Sequence, residues 1–228
     1  MPGERLQAID AARGIALALM IAYHFCFDLN YFGVIRVDFN HSFPWLAFRA
    51  CIVSLFLVVS GISLVLAGGR ERGHFLKRQG RLLAAALLVS AGSYLLFPGS
   101  YIYFGILHFI FVAGFIGRLF VPLGRLVPLG AGIAVLAIGV FYSNAVFDAP
   151  FLHWFGLMTY KPDTEDYVPL FPWLGVVLVG VSFGRLLERR KSPSCSCLKP
   201  LAAAGRHSLA IYLIHQPVLL GLLYLALK

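Results

Sequence analysis

Apolar residues run along this chain in seven blocks of membrane-crossing length, separated by short polar connections. The blocks cover roughly residues 11–33, 45–67, 80–97, 101–121, 126–143, 168–187 and 204–226. A strand crosses a bilayer in about 10 residues and a helix in about 20. These runs therefore predict helices, the third and fifth being the weakest. Arg49 interrupts the second run, and the fourth holds His108 and several glycines, which membrane helices tolerate because neighbours re-satisfy the backbone. The expected fold is all-α, a polytopic integral membrane bundle of about seven transmembrane helices in a single domain, residues 1–228.

Composition points the same way. Of 228 residues, 60% are apolar and only 13% charged, against about a quarter charged in soluble domains. An ordinary soluble enzyme is excluded, and the lipid bilayer is the first expected partner. The net charge of +9 then needs a place. Arg5 and Arg13 flank the first block; Arg70, Arg72, Lys77, Arg78 and Arg81 follow the second; Arg118 and Arg125 follow the fourth. Arg185, Arg189, Arg190, Lys191, Lys199 and Arg206 surround the connection between the sixth and seventh, which makes 15 of the 19 Lys and Arg. The alternate connections carry Arg36 with Asp28 and Asp38, or Lys161 with Asp148, Asp163, Glu165 and Asp166. The positive-inside rule makes the N-terminus cytoplasmic, and seven spans put the C-terminus outside. Topology absorbs the basic clusters, so no nucleic-acid partner is expected.

Glu4 and Asp10 beside the first arginines, and the absence of a small-residue cleavage site, favour a retained first span over a signal peptide. Cys26 and Cys51 fall inside spans. Cys195 and Cys197 lie in a basic cytoplasmic loop, where thiols are expected to stay reduced, although a Cys-x-Cys pair beside a membrane is also a palmitoylation candidate. No internal repeat is visible.

Ionisable side chains inside a membrane are costly and mark function or mutual neutralisation. At 100° per residue and with Arg13 at zero, His24 falls at about 20° and Asp10 and Asp28 at about 60°. One polar line thus runs along an otherwise apolar first helix, with Arg13 and His24 about 16 Å apart. Arg13, at the cytoplasmic mouth, suits a phosphate. His24 sits near mid-membrane with Asp28 one turn on, a spacing that can fix a histidine tautomer. The bland alternative is that Asp10 pairs with Arg13, and Asp28 with His24, for neutrality alone. On the last span Ser208, Tyr212 and His215 share a face, with Gln216 adjacent; Tyr101 and His108 share one on the fourth. Arg49 enters the second span with His41 just before it. No His-x-x-x-His pair is present and Asp28 is the one carboxylate well inside a span, so no metal is expected.

These residues carry a resemblance. Arg13-Gly14-Ile15-Ala16 through Tyr23-His24-Phe25, an arginine and a histidine separated by ten residues on the first helix, resembles the signature of the membrane-embedded acyltransferase superfamily. Ile9 to Ala16, His24 to Leu29, Phe104-Gly105-Ile106-Leu107-His108-Phe109 and Ile211 to Pro217 resemble more narrowly the short bacterial relatives of heparan-α-glucosaminide N-acetyltransferase. The likeness covers nearly the whole chain.

The resemblance implies an acetyl-CoA-dependent acyltransferase in the bacterial inner (cytoplasmic) membrane. It would move an acyl group, usually acetyl, from cytoplasmic acyl-CoA to an extracytoplasmic sugar or small-molecule acceptor such as an amino sugar. Arg13, Arg206 and Ser208 are then the candidate acyl-CoA contacts. His24 with Asp28 is the candidate catalytic centre, His24 acting as general base or itself carrying the acyl group. Arg49, His108, Tyr212, His215 and Gln216 are candidates for the acceptor. Two departures matter. The family's full-length members have ten or eleven spans, so the acceptor site here is either smaller or completed by a second copy, a homodimer. In the lysosomal branch the catalytic histidine lies beyond the first helix, and His41 is the matching candidate; both His24 and His41 stand, with His24 preferred.

The loop from Ser143 to Tyr167 offers Phe151, Trp154, Phe155 and Tyr160 for stacking on sugar faces; the competing reading is a segment whose aromatics sit at headgroup depth. The functional alternative is a transporter or exporter with Arg13, His24 and Asp28 as substrate or proton path. A subunit role in a larger membrane complex comes third.

Overall fold

The computed structural model describes residues 3–67, 72–164, 166–188 and 195–227. The side chains of Glu4 and Arg5, and the residues Arg70, Glu165, Arg189, Arg190 and Lys191 of the charge pattern, lie outside the described residues. Among these residues eight α-helices follow one another: α1 (Gly3–Tyr31), α2 (Phe43–Leu66), α3 (Arg72–Leu96), α4 (Ile106–Phe120), α5 (Leu126–Phe141), α6 (Leu170–Leu187), α7 (Lys199–Arg206) and α8 (Ser208–Leu227). Among the described residues there is no strand. Among the described residues six helical stretches are long and apolar enough to cross a membrane: Gln7–Tyr31, Phe43–Leu66, Arg72–Leu96, Ile106–Leu123, Leu170–Leu187 and Ser208–Leu227. Large apolar side chains such as Leu95, Phe141 and Leu225 are more than three-quarters exposed, as lipid-facing residues are. The protein is a polytopic helical membrane protein.

Two details differ from the pattern of apolar blocks. The expected fifth span is α5, an apolar helix of 16 residues; at 1.5 Å per residue it covers about 24 Å, short of a hydrocarbon core of about 30 Å. The last block divides at His207, which ends α7, its N–H turned to the carbonyls of Ala204 and Gly205, before α8 begins. The apolar count runs through this break because Ala and Gly on α7 are small enough to pack against another helix.

The chain forms two compact units, Met1–Val59 with Lys191–Lys228, and Ser60–Arg190. In the first, α1 and α7 meet almost backbone to backbone. A Cβ at Gly14 would fall on the Leu201 carbonyl, and one at Gly205 on the Asp10 carbonyl. Ala11 and Ala202 are buried in the same unit, the small-residue chemistry that lets membrane helices approach closely. Higher on α1, Leu17, Met20 and Tyr23 form a core with Phe39 and Ile52, to which Trp45, Phe48, Ile211 and Tyr212 add. Phe39 reaches that core on a structured turn. Gly33, at φ 75°, takes the left-handed conformation that ends α1. Val34 N–H donates to the Leu29 carbonyl at 2.9 Å, and Val37 N–H to the Asn30 side chain at 2.8 Å. Cys195 and Cys197, expected as reduced thiols, lie side by side ahead of α7, Cα to Cα 5.4 Å.

In the second unit α5 and α6 approach at Gly132 and Gly175, each facing the other's carbonyl. α4 packs its buried face, Phe109, Ala113 and Gly117, inward. Its first turn is held by Asp166, which accepts from Ile106 N–H at 2.9 Å, a carboxylate placed at the positive end of a helix.

Candidate functional site

In the first unit, α1 and α8 bring together four polar side chains that lie far apart in sequence. The rings of His24 and His215 stand 5.0 Å apart, centroid to centroid, at 64°. Asp28, 1% exposed, accepts from Gln216 Nε2 at 2.7 Å. The expected His24–Asp28 pair does not form. The two lie one turn apart on α1, yet Asp28 turns to Gln216 and His24 to His215, because α8 presents both partners to the same stretch.

His215 Nδ1 lies 2.6 Å from the Tyr212 carbonyl oxygen of its own helix. A carbonyl only accepts, so the proton is on Nδ1 and Nε2 carries a bare lone pair. That Nε2 is buried with no partner, as are His24 Nδ1, Asp28 Oδ2 and Gln216 Oε1. A buried polar atom left unsatisfied costs about 1–3 kcal/mol. Four of them in one place is the pattern of a site prepared for something that binds or reacts there.

The other candidates fall around this cluster in different roles. Arg13 pairs with Asp10 at 2.8 Å, the neutralising arrangement. Arg206 ends α7 and is exposed. The contact of Gly205 with Asp10 and Gly14 brings Arg206 to the level of Arg13, and Ser208 opens α8 just beyond. Arg49 lies against the Tyr23 hydroxyl, on the aromatic core into which Tyr212 also packs. His41 stands apart. Its side chain is 86% exposed and paired with Asp38, Nδ1 to Oδ2 at 3.0 Å. The N–H groups of His41 and Asn40 and the His41 ring together hold the Asp38 carboxyl below its usual value.

His108 belongs to the second unit, where both ring nitrogens are occupied. Nδ1 accepts from Gly105 N–H at 3.3 Å, and Nε2 lies 3.2 Å from Ser90 Oγ, which itself donates to the Ile102 carbonyl. This is a clamp between the start of α4 and α3. The loop after α5 holds a second knot that the sequence pattern does not single out. His153, 8% exposed, sets Nε2 3.0 Å from the Asp148 carbonyl and 3.2 Å from the Tyr160 hydroxyl, while Tyr167 donates to the His153 carbonyl at 2.6 Å. The Asp148 carboxylate receives both donors of Thr159 at 2.8 Å. Tyr160 is therefore spent on the loop itself. Burial pushes the Tyr103 hydroxyl beside this knot up to about 12 and raises that of Tyr167 as well. Among the described residues no three His, Cys, Asp or Glu side chains are grouped as metal ligands.

Neither a curated protein nor a solved structure gives a match to this chain. The family model of the heparan-alpha-glucosaminide N-acetyltransferase catalytic domain matches residues 5–217. That stretch takes in His24, His215 and the membrane-crossing helices between them. The chain belongs to the heparan-alpha-glucosaminide N-acetyltransferase catalytic family, and is accordingly a membrane acetyltransferase.

Proposed function

We propose that the protein transfers an acetyl group from cytoplasmic acetyl-CoA to an amino group or hydroxyl of an extracytoplasmic sugar or small-molecule acceptor, with His24 and His215 acting as a pair. The observation that carries this reading is the complementarity of two orphaned atoms. His24 Nδ1 and His215 Nε2 are both buried and unpartnered, on rings 5.0 Å apart. The lone pair of His215 Nε2 is held available by the Tyr212 carbonyl. A small rotation of the rings lets it accept the His24 Nδ1 proton, which leaves His24 Nε2 as the base. The order carbonyl, His215, His24, substrate is the orienting logic of a catalytic triad.

In the forward step the acceptor's nitrogen or oxygen attacks the thioester carbonyl and gives its proton to His24 Nε2. The C–S bond then breaks, and the proton passes to the departing CoA thiolate. In the variant with an acyl-histidine intermediate, His24 Nε2 attacks the thioester carbonyl, the C–S bond breaks, and the Nδ1 proton leaves the ring to neutralise the CoA thiolate; the acceptor then attacks the acyl-imidazole and returns its proton to the ring as the C–N bond breaks. Asp28 Oδ2 and Gln216 Oε1 are acceptors without donors, suited to the N–H or O–H groups of the incoming acceptor. Arg206, with Lys199 on the same short helix, is the cation best placed by its exposure to meet the CoA phosphates. Arg13, joined to Asp10, adds its charge at the same level. The basic connections make this end cytoplasmic under the positive-inside rule, and the inner membrane of a bacterium is the compartment this reading requires. Residues 1–228 then work as one domain, with a homodimer as one way to complete the acceptor side.

The test is transfer of labelled acetyl from acetyl-CoA to glucosamine by the purified protein in lipid nanodiscs. Product is expected from the wild type and not from His24→Ala. Label that stays on CoA with every acceptor, together with solute movement in vesicles, would replace the enzyme with an exporter.

A further inference from the structure

The second unit carries an open depression of about 440 Å³ lined by Tyr103, Phe104, Val112, Pro150, Phe151 and Trp154. This is within the range of small-molecule sites, about 300–1,000 Å³. Its wall is almost entirely carbon. Tyr103 brings a hydroxyl, but that oxygen is buried and has no partner, so it is withdrawn from the surface a ligand would touch. The Tyr103 ring is packed instead among Tyr101, His153 and Tyr167. A sugar could lay one face on such rings, yet its hydroxyl edge would find few partners, and unpaired polar groups are what a binding site avoids. A hydrocarbon chain has no such requirement.

The depression is also continuous with the lipid-facing surface. Val112 lies on the membrane-crossing stretch Ile106–Leu123. It begins a stripe with Phe115, 40% exposed, and Leu119, 70% exposed, three and seven residues further along the same face. The adjoining face of α4 carries the buried Phe109, Ala113 and Gly117. At the other rim Phe151 is 76% exposed, and Trp154 is the residue type that tolerates one wet and one apolar side. We propose that this open depression is a binding site for one acyl chain of a membrane lipid, entered along the Val112–Phe115–Leu119 stripe and flanked by the Pro150–Phe155 turn. The site stands independently of which acceptor the protein acetylates.

The experiment uses the full chain in nanodiscs containing a phosphatidylcholine with a diazirine on one acyl chain, photolysed and mapped by mass spectrometry. Saturable labelling of Phe104, Val112 and Trp154 is expected. It should fall at least fivefold in Val112→Trp, which fills the depression, while labelling of Phe115 and Leu119 stays as in the wild type. Phe151→Glu changes an exposed rim residue without touching the core, and should lower the same labels should Val112→Trp fail to fold. Labelling that does not saturate and is insensitive to both substitutions would reduce the depression to ordinary lipid contact. Displacement of the label by soluble chitobiose would make it a sugar site instead; either result overturns the proposal.

Discussion

His24 and His215 in one unit, and His108 and His153 in the other, are four histidines removed from water that could not be more differently served. Both ring nitrogens of His108 have a neighbour, Gly105 and Ser90, and His153 Nε2 has two, the Asp148 carbonyl and the Tyr160 hydroxyl. His24 and His215 each keep a buried nitrogen with none. A satisfied histidine is a rivet, stable because its hydrogen bonds offset desolvation. An unsatisfied one weakens the fold and is retained for what it does. Burial alone does not separate the two kinds; the hydrogen-bond inventory does.

The contrast can be broken most sharply by truncating the pair. His24→Ala and His215→Ala are each expected to lower the acetyl transfer rate by about 10²–10⁴-fold, the range for a positioned acid–base group. Thermal melting of His24→Ala should stay close to wild type, because no hydrogen bond at His24 Nδ1 is lost, whereas His215→Ala also removes the bond from Nδ1 to the Tyr212 carbonyl and should be less stable by about 0.5–1.5 kcal/mol. A melting collapse with proportionate loss of activity would make the pair another rivet. His108→Phe should do the reverse, costing about 1–3 kcal/mol of stability through the stranded Gly105 and Ser90 groups, with the rate per folded molecule nearly unchanged. Tyr160→Phe removes one hydroxyl from the His153 knot and should cost about 0.5–1.5 kcal/mol, again without altering transfer.

His41 supplies the smallest effects and the control. His41→Ala, on an exposed turn, should change stability by no more than about 0.5 kcal/mol and transfer by less than about twofold; loss of transfer would move the base from His24 to His41. The Asp38 carboxyl has its pKa lowered on folding, so its contribution is present above the ordinary value of 3.8 and fades as pH falls below it. A slight melting difference between wild type and Asp38→Asn at neutral pH should accordingly vanish in acid.

Much of the site was legible along the chain. The polar line on α1 names His24 and Asp28, and the last helix names Tyr212, His215 and Gln216. What the line misassigned was the pairing. A spacing of four residues makes His24 and Asp28 neighbours, but neighbours on one helix compete with whatever an opposing helix presents, and Gln216 and His215 prevailed. The knot around His153 left no trace in any periodicity, since its members sit on an irregular loop where neither a 3.6 nor a 2.0 repeat applies.

The helical, membrane-crossing nature of the chain was determined by sequence alone. Each segment must satisfy its own backbone in hydrocarbon, so the length and apolarity of that segment suffice to specify a helix. The family likeness was readable for a related reason, because its motifs are local runs. Only the tertiary structure decided which buried atoms are paired and which are left open. That depends on the rotation and register of α1 against α8, helices at opposite ends of the chain. A shift of one residue, 100° around the axis, would exchange the partners that make one histidine a rivet and another a base.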